Sequence, residues 1–338
     1  MISINAHPIN VINYVLALNS VPIIWGLEIK NENFYDITDL RIRISFEPDI
    51  AYCEELQIGC LLSKTAIQIT NIIPTYNLGF LSNIKKECHA KVKFHVYIDD
   101  NSEVYSCSPI HITNYSLYWG NSVLSKYLAS YVLPYDKAIV QIVKRATELY
   151  QMYTDCVFPE NVYKDTKHTL HIVRSIYESI QERQLSFAYP IKNLNIYGQR
   201  IRTPNEIMDQ NKGCCLDMAL LFCSCLEYIG MNSILILQDD HAFAGCWLVN
   251  NVFDESPMYN TNLLIEQSRC ANPTIVLVET TYMIYKLKRA VNEIYPFNKA
   301  VLKASEVIMK NTFNCAVDIF YSRKDGILPF TTFVENTK

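Results

Sequence analysis

The chain has 338 residues, of which 50% are hydrophobic and 19% charged, and its formal net charge at pH 7 is −4. This composition excludes a disordered chain, because it provides enough apolar surface for one large domain or two ordinary ones. The small negative charge also argues against a general affinity for nucleic acid or anionic membranes.

The first twenty residues have no basic start, and asparagine and proline interrupt their apolar residues, so they are not typical of a signal peptide. No apolar run approaches the roughly 18 residues of a membrane-spanning helix, and none is expected. The chain has 12 cysteines. Without an export signal, we expect them to be reduced thiols in a cytoplasmic protein rather than a disulfide framework.

Residues 1–117 have the pattern of an antiparallel, immunoglobulin-like β-sandwich. Short segments rich in β-branched residues alternate with turn residues, as in VPIIWGLEIKN, LRIRISFEPD, KTAIQITNIIP, AKVKFHVYID and CSPIHIT. In KVKFHVYIDD, Val92, Phe94 and Val96 alternate with polar residues and are predicted to face a core. The segment YIDDNSEVYSC predicts a hairpin.

Residues 118–338 have the pattern of a second domain that mixes helices and strands, so the whole chain is predicted to be α+β. Amphipathic helices are predicted in SVLSKYLASYVLP, DKAIVQIVKRATELYQMY and TKHTLHIVRSIYESIQER. The apolar stripe of the third helix contains Leu170, Val173, Ile176, Tyr177 and Ile180. A loop, IKNLNIYGQRIRTPNEIMDQNKG, is followed by strands in NSILILQ, HAFAGCWLV and TIVLVETT, a helix in NKAVLKASEVIMKN and a last strand in CAVDIFYSR.

The segment NKGCCLDMALLFCSCLEYIG carries the strongest chemical signal. Its apolar residues recur at helical spacing from Cys215 onward, Gly230 suits a left-handed C-terminal cap, and Gly213 permits a tight turn into the helix. Cys214 and Cys215 therefore lie at a predicted helix N-terminus. The unpaired N–H groups and the helix dipole favour a thiolate there and can stabilise an oxyanion.

A metal site is the weaker interpretation of this cysteine-rich segment. Cys223 and Cys225 are two positions apart, which places them on different faces of a helix. The chain has no Cys-x-x-Cys pair and no second ligand cluster. We expect these two cysteines to be packing residues and expect no metal or other cofactor.

A thiolate nucleophile needs a base and a group that orients the base. His241 begins a predicted strand after the helix, and Glu279 lies in the apolar segment TIVLVETT, where an unpaired carboxylate would be costly. If the two strands are neighbours, Glu279 can accept a hydrogen bond from His241. The alternatives are a surface histidine and an edge-strand glutamate that faces water. Asp254 is a rival acid closer in sequence to His241.

A cysteine at a helix start, a histidine on a strand and an acid followed by threonine on the next strand resemble the transglutaminase-like superfamily of papain-type cysteine hydrolases and acyltransferases. The segments YGQRIRTP, GCCLD, HAFAGCWL and ETT are similar to the transglutaminase-like module at the N-terminus of very large bacterial superfamily-one helicase-type proteins. The resemblance covers most of the chain, including its β-rich first part. It implies a β-sandwich followed by a papain-like domain with helices packed on an antiparallel sheet.

The resemblance assigns the nucleophile to Cys215, the general base to His241 and the orienting acid to Glu279. It places Gln199 and Arg202 in the family's Gly-Gln-x-Val-Arg segment. By analogy with papain-like sites, Gln199 supplies an oxyanion-hole donor or, alternatively, is a loop glutamine that closes a turn.

The chain departs from the family pattern at two positions. Asp240 replaces the glycine before His241, and we expect its carboxylate to raise the pKa of the histidine and favour a thiolate–imidazolium pair. Cys214 replaces the family's threonine and adds a second thiol beside Cys215. The helicase portion is absent from this sequence, which is interpreted as a free-standing relative or a piece of a larger protein.

Three functions remain open on the sequence alone. The first is a cysteine protease, or an amide or isopeptide hydrolase, that acts on a protein or peptide; transfer of the acyl group to an amine would use the same intermediate. The second is a non-catalytic interaction or sensor module of a helicase-type, anti-phage system. The third and weakest is nucleic-acid contact through the basic and aromatic residues of KLKRAVNEIYPFNK.

Overall fold

The computed structural model describes residues 1–98, 101–118, 122–189, 198–285 and 295–330. They divide into two compact units, one that ends at Leu117 and one that begins at Tyr118. The sheets of both units are mainly antiparallel, and the long helices lie in the second unit, so the α+β class is confirmed. Within the ranges given above, every helix is too short or too polar to cross a bilayer.

The first unit is built from strands and two short helices. They are β1 (Ile2–Pro8), β2 (Val11–Ile12), α1 (Tyr14–Leu18), β3 (Ile24–Asn31), β4 (Ile37–Glu47), β5 (Ala51–Tyr52), β6 (Leu56–Leu61), β7 (Ala66–Ile72), β8 (Thr75–Tyr76), α2 (Leu78–Ser82), β9 (Cys88–Ile98), β10 (Asn101–Ser106) and β11 (Ile110–Ile112). One sheet has the order β1-β3-β7. A larger sheet has the order β2-β11-β9-β4-β6, with β10 added on β9, and a third, two-stranded sheet pairs β5 with β8.

Strand β9 shows why this part of the sequence forms sheet. Val92, Phe94 and Val96 are buried as predicted, because successive side chains of a strand point to opposite faces. The predicted hairpin is confirmed, since Asn101 of β10 pairs with Ile98 of β9. All strand pairs of the two larger sheets are antiparallel except β2–β11, which is parallel.

The second unit combines helices with one central sheet. After β12 (Leu117–Tyr118) and a 3-10 helix (Ser122–Tyr131) come α3 (Lys137–Thr154), α4 (Thr166–Gln181), β13 (Ser186–Phe187), β14 (Gln199–Arg200), α5 (Pro204–Gln210), β15 (Lys212–Gly213) and α6 (Cys215–Tyr228). Then follow β16 (Ser233–Gln238), β17 (Ala242–Trp247), α7 (Thr261–Arg269), β18 (Ile275–Val278), a 3-10 helix (Thr280–Met283), α8 (Phe297–Lys310), β19 (Phe313–Asp318) and α9 (Ile319–Lys324). The central sheet is antiparallel with the order β18-β17-β16-β19, and α6 packs against β16 and β17.

The predicted stripe of α4 is buried at four of its five positions, Val173, Ile176, Tyr177 and Ile180. Leu170 was predicted wrongly, because 38% of its surface is exposed. Thr169 is buried beside it instead, and its hydroxyl donates to the carbonyls of Val162 at 2.8 Å and Asp165 at 2.9 Å. A threonine that satisfies its hydroxyl within the first turn can be buried in place of a leucine.

The strand predicted in TIVLVETT ends at Val278 and is followed by a 3-10 helix, and two other segments differ from their predictions where a helix begins. The segment predicted as a loop before the cysteines contains α5, which starts with a capping box between Thr203 and Glu206. The segment CAVDIFYSR is a strand only as far as Asp318, whose carboxylate caps the next helix by accepting the N–H of Tyr321 at 2.9 Å. In both cases a capping residue starts a helix that apolar periodicity alone did not indicate.

Candidate active site

Helix α6 places two cysteines at its N-terminus. Cys214 is the N-cap residue, with extended backbone angles, and Cys215 is the first residue of the helix. At the other end Gly230 has a φ of 79°, and the N–H of Met231 bonds the carbonyl of Leu226 at 2.9 Å. The predicted left-handed cap is therefore confirmed. The first-turn N–H groups lack helical acceptors, so this end of α6 favours an anionic sulfur.

Gly213 brings the chain close to the first turn of α6. A Cβ atom at this position would lie 3.1 Å from the sulfur of Met218 and 3.3 Å from the Cβ of Asp217. A larger residue would therefore require the Met218 and Asp217 side chains to shift by a few tenths of an ångström. The glycine thus permits close packing against the first turn of α6.

The pairing of β17 and β18 brings the histidine and the glutamate together. His241 lies just before β17, Glu279 lies just after β18, and Ala244 pairs with Val278 in the antiparallel register. Because the strands run in opposite directions, the start of β17 and the end of β18 meet at the same end of the sheet. Residues opposite each other on paired strands share a face, as do residues two apart on one strand. The side chains of His241 and Glu279 therefore lie on one side of the sheet.

Hydrogen bonds connect the sulfur, the imidazole and the carboxylate. Nε2 of His241 lies 2.8 Å from Oε2 of Glu279, and the imidazole also forms a hydrogen bond with the sulfur of Cys215. Since Nε2 faces the carboxylate, Nδ1 is the ring nitrogen left for the sulfur. The other carboxylate oxygen, Oε1, accepts the backbone N–H of Thr281 at 3.0 Å and its hydroxyl at 2.7 Å. Glu279 is thus fixed at both oxygens.

The electrostatics of the three groups favour a thiolate–imidazolium pair. Burial alone would lower the pKa of His241, but its hydrogen bonds to Cys215 and Glu279 and the charges of both raise it to about 10. The pKa of Cys215 lies well below that of an ordinary thiol, and the hydrogen bond with Cys214 is the largest cause. Burial raises this pKa, but the hydrogen bond and charge of His241 and the N–H of Ala242 lower it further. Burial raises the pKa of Glu279, but His241 and Thr281 reverse this and keep it low.

Among the described residues Arg202 forms no hydrogen bond with Cys215, His241 or Glu279, but it fixes the helix that carries Cys215. Its guanidinium donates to Oδ2 of Asp217 at 2.9 Å, and its backbone N–H donates to Oδ1 at 2.8 Å. Oδ2 of Asp217 also accepts the N–H of Cys214 at 2.9 Å. This buried ion pair connects the segment before α5 to the first turn of α6.

Gln199 lies beside the site, and its side-chain amide contacts the thiol of Cys214 rather than that of Cys215. Its Nε2 donates to the sulfur of Cys214 at 3.4 Å. The expected oxyanion-hole role therefore stays a prediction. The contact that the structure gives this amide is with the thiol next to Cys215.

Two predicted acids lie outside the hydrogen-bonded group. Asp240 and Asp254 are both exposed, and no hydrogen bond or ion pair among the described residues joins either one to His241. The charge and hydrogen bond of Glu279, rather than Asp240, account for the carboxylate contribution to the raised pKa of His241. Of Glu279 and Asp254, the two candidates for the acid that orients His241, the structure brings only Glu279 to the imidazole.

Two site residues were not singled out from the sequence. Asp217 stands three positions after Cys214, the spacing of a capping box, and this signal could have identified it. Thr281 stands two positions after Glu279 and fixes its carboxylate.

The helix interior contains Cys223 and Cys225, which are fully buried, and no group of three potential metal ligands occurs in the described ranges.

The fold and the site together define an α+β domain with a buried thiol, a partly exposed imidazole and a buried carboxylate in series at a helix N-terminus. No protein-family model matches the chain, and no curated protein matches it either. The function is therefore inferred from the geometry of the site.

Proposed function

We propose that the chain is a transglutaminase-like cysteine hydrolase that cleaves amide or isopeptide bonds of a protein or peptide. The observation that carries this proposal is the hydrogen-bonded series Cys215–His241–Glu279 at the start of α6. The proposed domain has helices on an antiparallel sheet, as in papain-like enzymes, and the first unit is proposed to be its β-sandwich. All twelve cysteines are free thiols, which supports a reducing, cytoplasmic location.

The proposed reaction begins when the Cys215 thiolate attacks the substrate carbonyl carbon and its electrons move to the carbonyl oxygen. In the proposed reaction the N–H groups of the first turn of α6 stabilise this oxyanion. Protonated His241 then gives its proton to the leaving amine as the C–N bond breaks, which leaves a thioester on Cys215. Glu279 keeps the imidazole in the orientation and tautomer that this transfer needs.

The second half of the reaction returns the free enzyme. Neutral His241 removes a proton from water, the hydroxide adds to the thioester, and the carbonyl re-forms with expulsion of the Cys215 thiolate. The products are a carboxylic acid and the regenerated thiolate–imidazolium pair. An amine in place of water would give acyl transfer. We propose hydrolysis because water needs no binding site of its own.

The test uses p-nitrophenyl acetate, an activated ester whose carbonyl makes no demand on substrate specificity. The wild type is expected to release a burst of nitrophenolate and to carry one acetyl group on Cys215, located by peptide mass spectrometry. Cys215→Ala is expected to give no burst, since no other cysteine has both the lowered pKa and the imidazole. Cys246→Ala, which removes a buried cysteine of β17, is the matched control and keeps the burst.

An acetyl group spread over several exposed cysteines, with no preference for Cys215, would contradict the proposal. The non-catalytic interaction module would then be the better account of the chain. The retained thiol, imidazole and carboxylate would have to be explained as packing.

A further inference from the structure

The carboxylate of Glu279 has two sets of contacts. It bonds the imidazole of His241, and it also caps the 3-10 helix Thr280–Met283. Serine, threonine, asparagine and aspartate are the usual caps, and the longer glutamate is not among them. The Glu279 side chain is only 3% exposed, so water solvates the carboxylate little and donors of the protein have to replace it. These donors therefore determine how the carboxylate is held.

Thr281 supplies two donors to one oxygen of this carboxylate. Its backbone N–H donates to Oε1 of Glu279 at 3.0 Å, and its hydroxyl donates to the same atom at 2.7 Å. The other oxygen, Oε2, lies 2.8 Å from Nε2 of His241. A carboxylate that is fixed at Oε1 cannot rotate freely about its terminal bond. The direction in which Oε2 points is therefore set by Thr281.

The backbone of this turn is held by bonds that do not involve the threonine hydroxyl. The N–H of Glu279 donates to the carbonyl of Ala300 in α8 at 3.1 Å. The N–H of Tyr282 donates to the carbonyl of Glu279, also at 3.1 Å. The backbone N–H of Thr281 already bonds the capping carboxylate of the 3-10 helix. Formation of the turn therefore does not account for the bond between the Thr281 hydroxyl and Glu279.

The neighbouring threonine shows that a place beside Glu279 in the sequence does not by itself bring a hydroxyl to the carboxylate. Thr280 is fully buried, and its Oγ1 has no hydrogen-bond partner among the described residues. Thr281 is partly exposed, so water could solvate its hydroxyl, yet this hydroxyl lies on the carboxylate. The two threonines thus differ in the one contact that concerns the site.

We propose that Thr281 is a positioning residue of the reaction, whose hydroxyl holds Oε1 of Glu279 so that Oε2 faces the imidazole of His241. This inference rests on the proposed function, because it extends the Cys215–His241–Glu279 series by one residue. A hydrogen bond to an ionised acceptor is roughly twice as strong as one between neutral groups. In agreement, burial raises the pKa of the Glu279 carboxyl, but His241 and then Thr281 bring this pKa below its ordinary value.

The test measures the rate at which p-nitrophenyl acetate acetylates Cys215 as a function of pH, by peptide mass spectrometry. Thr281→Val removes the hydroxyl, keeps the branched shape and is expected to slow acetylation at about pH 6 by about tenfold. The acid limb is expected to move to higher pH, because a carboxylate that loses a donor takes up a proton more readily. Thr281→Ser keeps the hydroxyl and is expected to retain most of the wild-type rate. Thr280→Val, which removes the unbonded hydroxyl, is the matched control and leaves rate and profile unchanged.

The outcomes separate this inference from the proposed function. A wild type in which Cys215 is acetylated no faster than the other thiols overturns both. A fast wild type whose rate and pH profile are unchanged in Thr281→Val overturns only the role of Thr281. Equal losses in Thr281→Val and Thr281→Ser, or an equal loss in Thr280→Val, would show that the packing of this turn matters rather than the Thr281 hydroxyl and would also overturn the inference.

Discussion

Replacing Glu279 with glutamine is expected to slow acetylation of Cys215 by p-nitrophenyl acetate at pH 6 by at least about 10²-fold. The carboxylate accepts the Nε2 proton of His241 at 2.8 Å, and its other oxygen is held by Thr281. A glutamine whose oxygen stays on Thr281 turns its amide N–H₂ toward Nε2. That nitrogen must then be an acceptor, the proton moves to Nδ1, and the neutral imidazole can no longer accept the proton of Cys215.

Asp254→Asn is the matched control for this prediction. Asp254 was the rival acid in the sequence, but it is exposed and is not bonded to His241 among the described residues. Its neutralisation is expected to leave the acetylation rate within about twofold of wild type, as for surface substitutions in general. A large loss in Asp254→Asn with little loss in Glu279→Gln would show that the described site is not the reactive arrangement.

Replacing Arg202 with leucine is expected to destabilise the start of α6 by about 3 to 5 kcal/mol. The Arg202 and Asp217 side chains are only 6% and 0% exposed, and leucine would leave the carboxylate buried without its cation. Hydrogen exchange of the α6 amides, read by mass spectrometry, measures this local stability without averaging over the two units. The expected effect is exchange about 10² to 4 × 10³ times faster than in the wild type.

Arg200→Leu is the control for the buried ion pair. Arg200 also pairs with a carboxylate, that of Glu206 at 3.1 Å, but the two side chains are 41% and 29% exposed. A solvated pair of this kind contributes about 0 to 1 kcal/mol, so exchange in α6 is expected to change little. Similar exchange rates in the two variants would contradict the proposed role of the Arg202–Asp217 pair.

The sequence predicted those elements whose hydrophobic period is unbroken. Helix α6 and strands β16 and β17 follow from apolar spacing, and the left-handed Gly230 follows from the end of the helical pattern. The α+β class follows from the change of period along the chain. The sequence also provided Cys215 and His241 as candidates, because each stands at the start of a predicted element.

The features that needed three-dimensional information are those set by register and by hydrogen-bond partners. The choice of Glu279 over Asp254 depends on which strand pairs with β17, and strand order cannot be read from apolar periodicity. The contact of Gln199 with Cys214 depends on side-chain packing in the same way. Helix α9 was missed because its apolar residues continue the pattern of β19, and only the cap at Asp318 separates the two elements.

Competitive labelling of all twelve cysteines with iodoacetamide at about pH 6, in the wild type and in His241→Ala, tests the central claim most directly. An ordinary thiol with a pKa near 8.5 is almost entirely protonated at this pH and reacts slowly. Cys215 has a lowered pKa, and His241 keeps its proton up to about pH 10. The rate at Cys215 is therefore expected to be high and nearly constant from about pH 6 to 9, while that of ordinary thiols rises about tenfold per pH unit below their pKa.

The account predicts that Cys215 is labelled well ahead of the other cysteines in the wild type and loses this advantage in His241→Ala. The exposed cysteines Cys60, Cys156 and Cys270 serve as internal standards, because their rates are expected to be the same in both proteins. Labelling of Cys215 that is no faster than that of these three thiols, or that is unchanged by removal of His241, would contradict the thiolate–imidazolium pair.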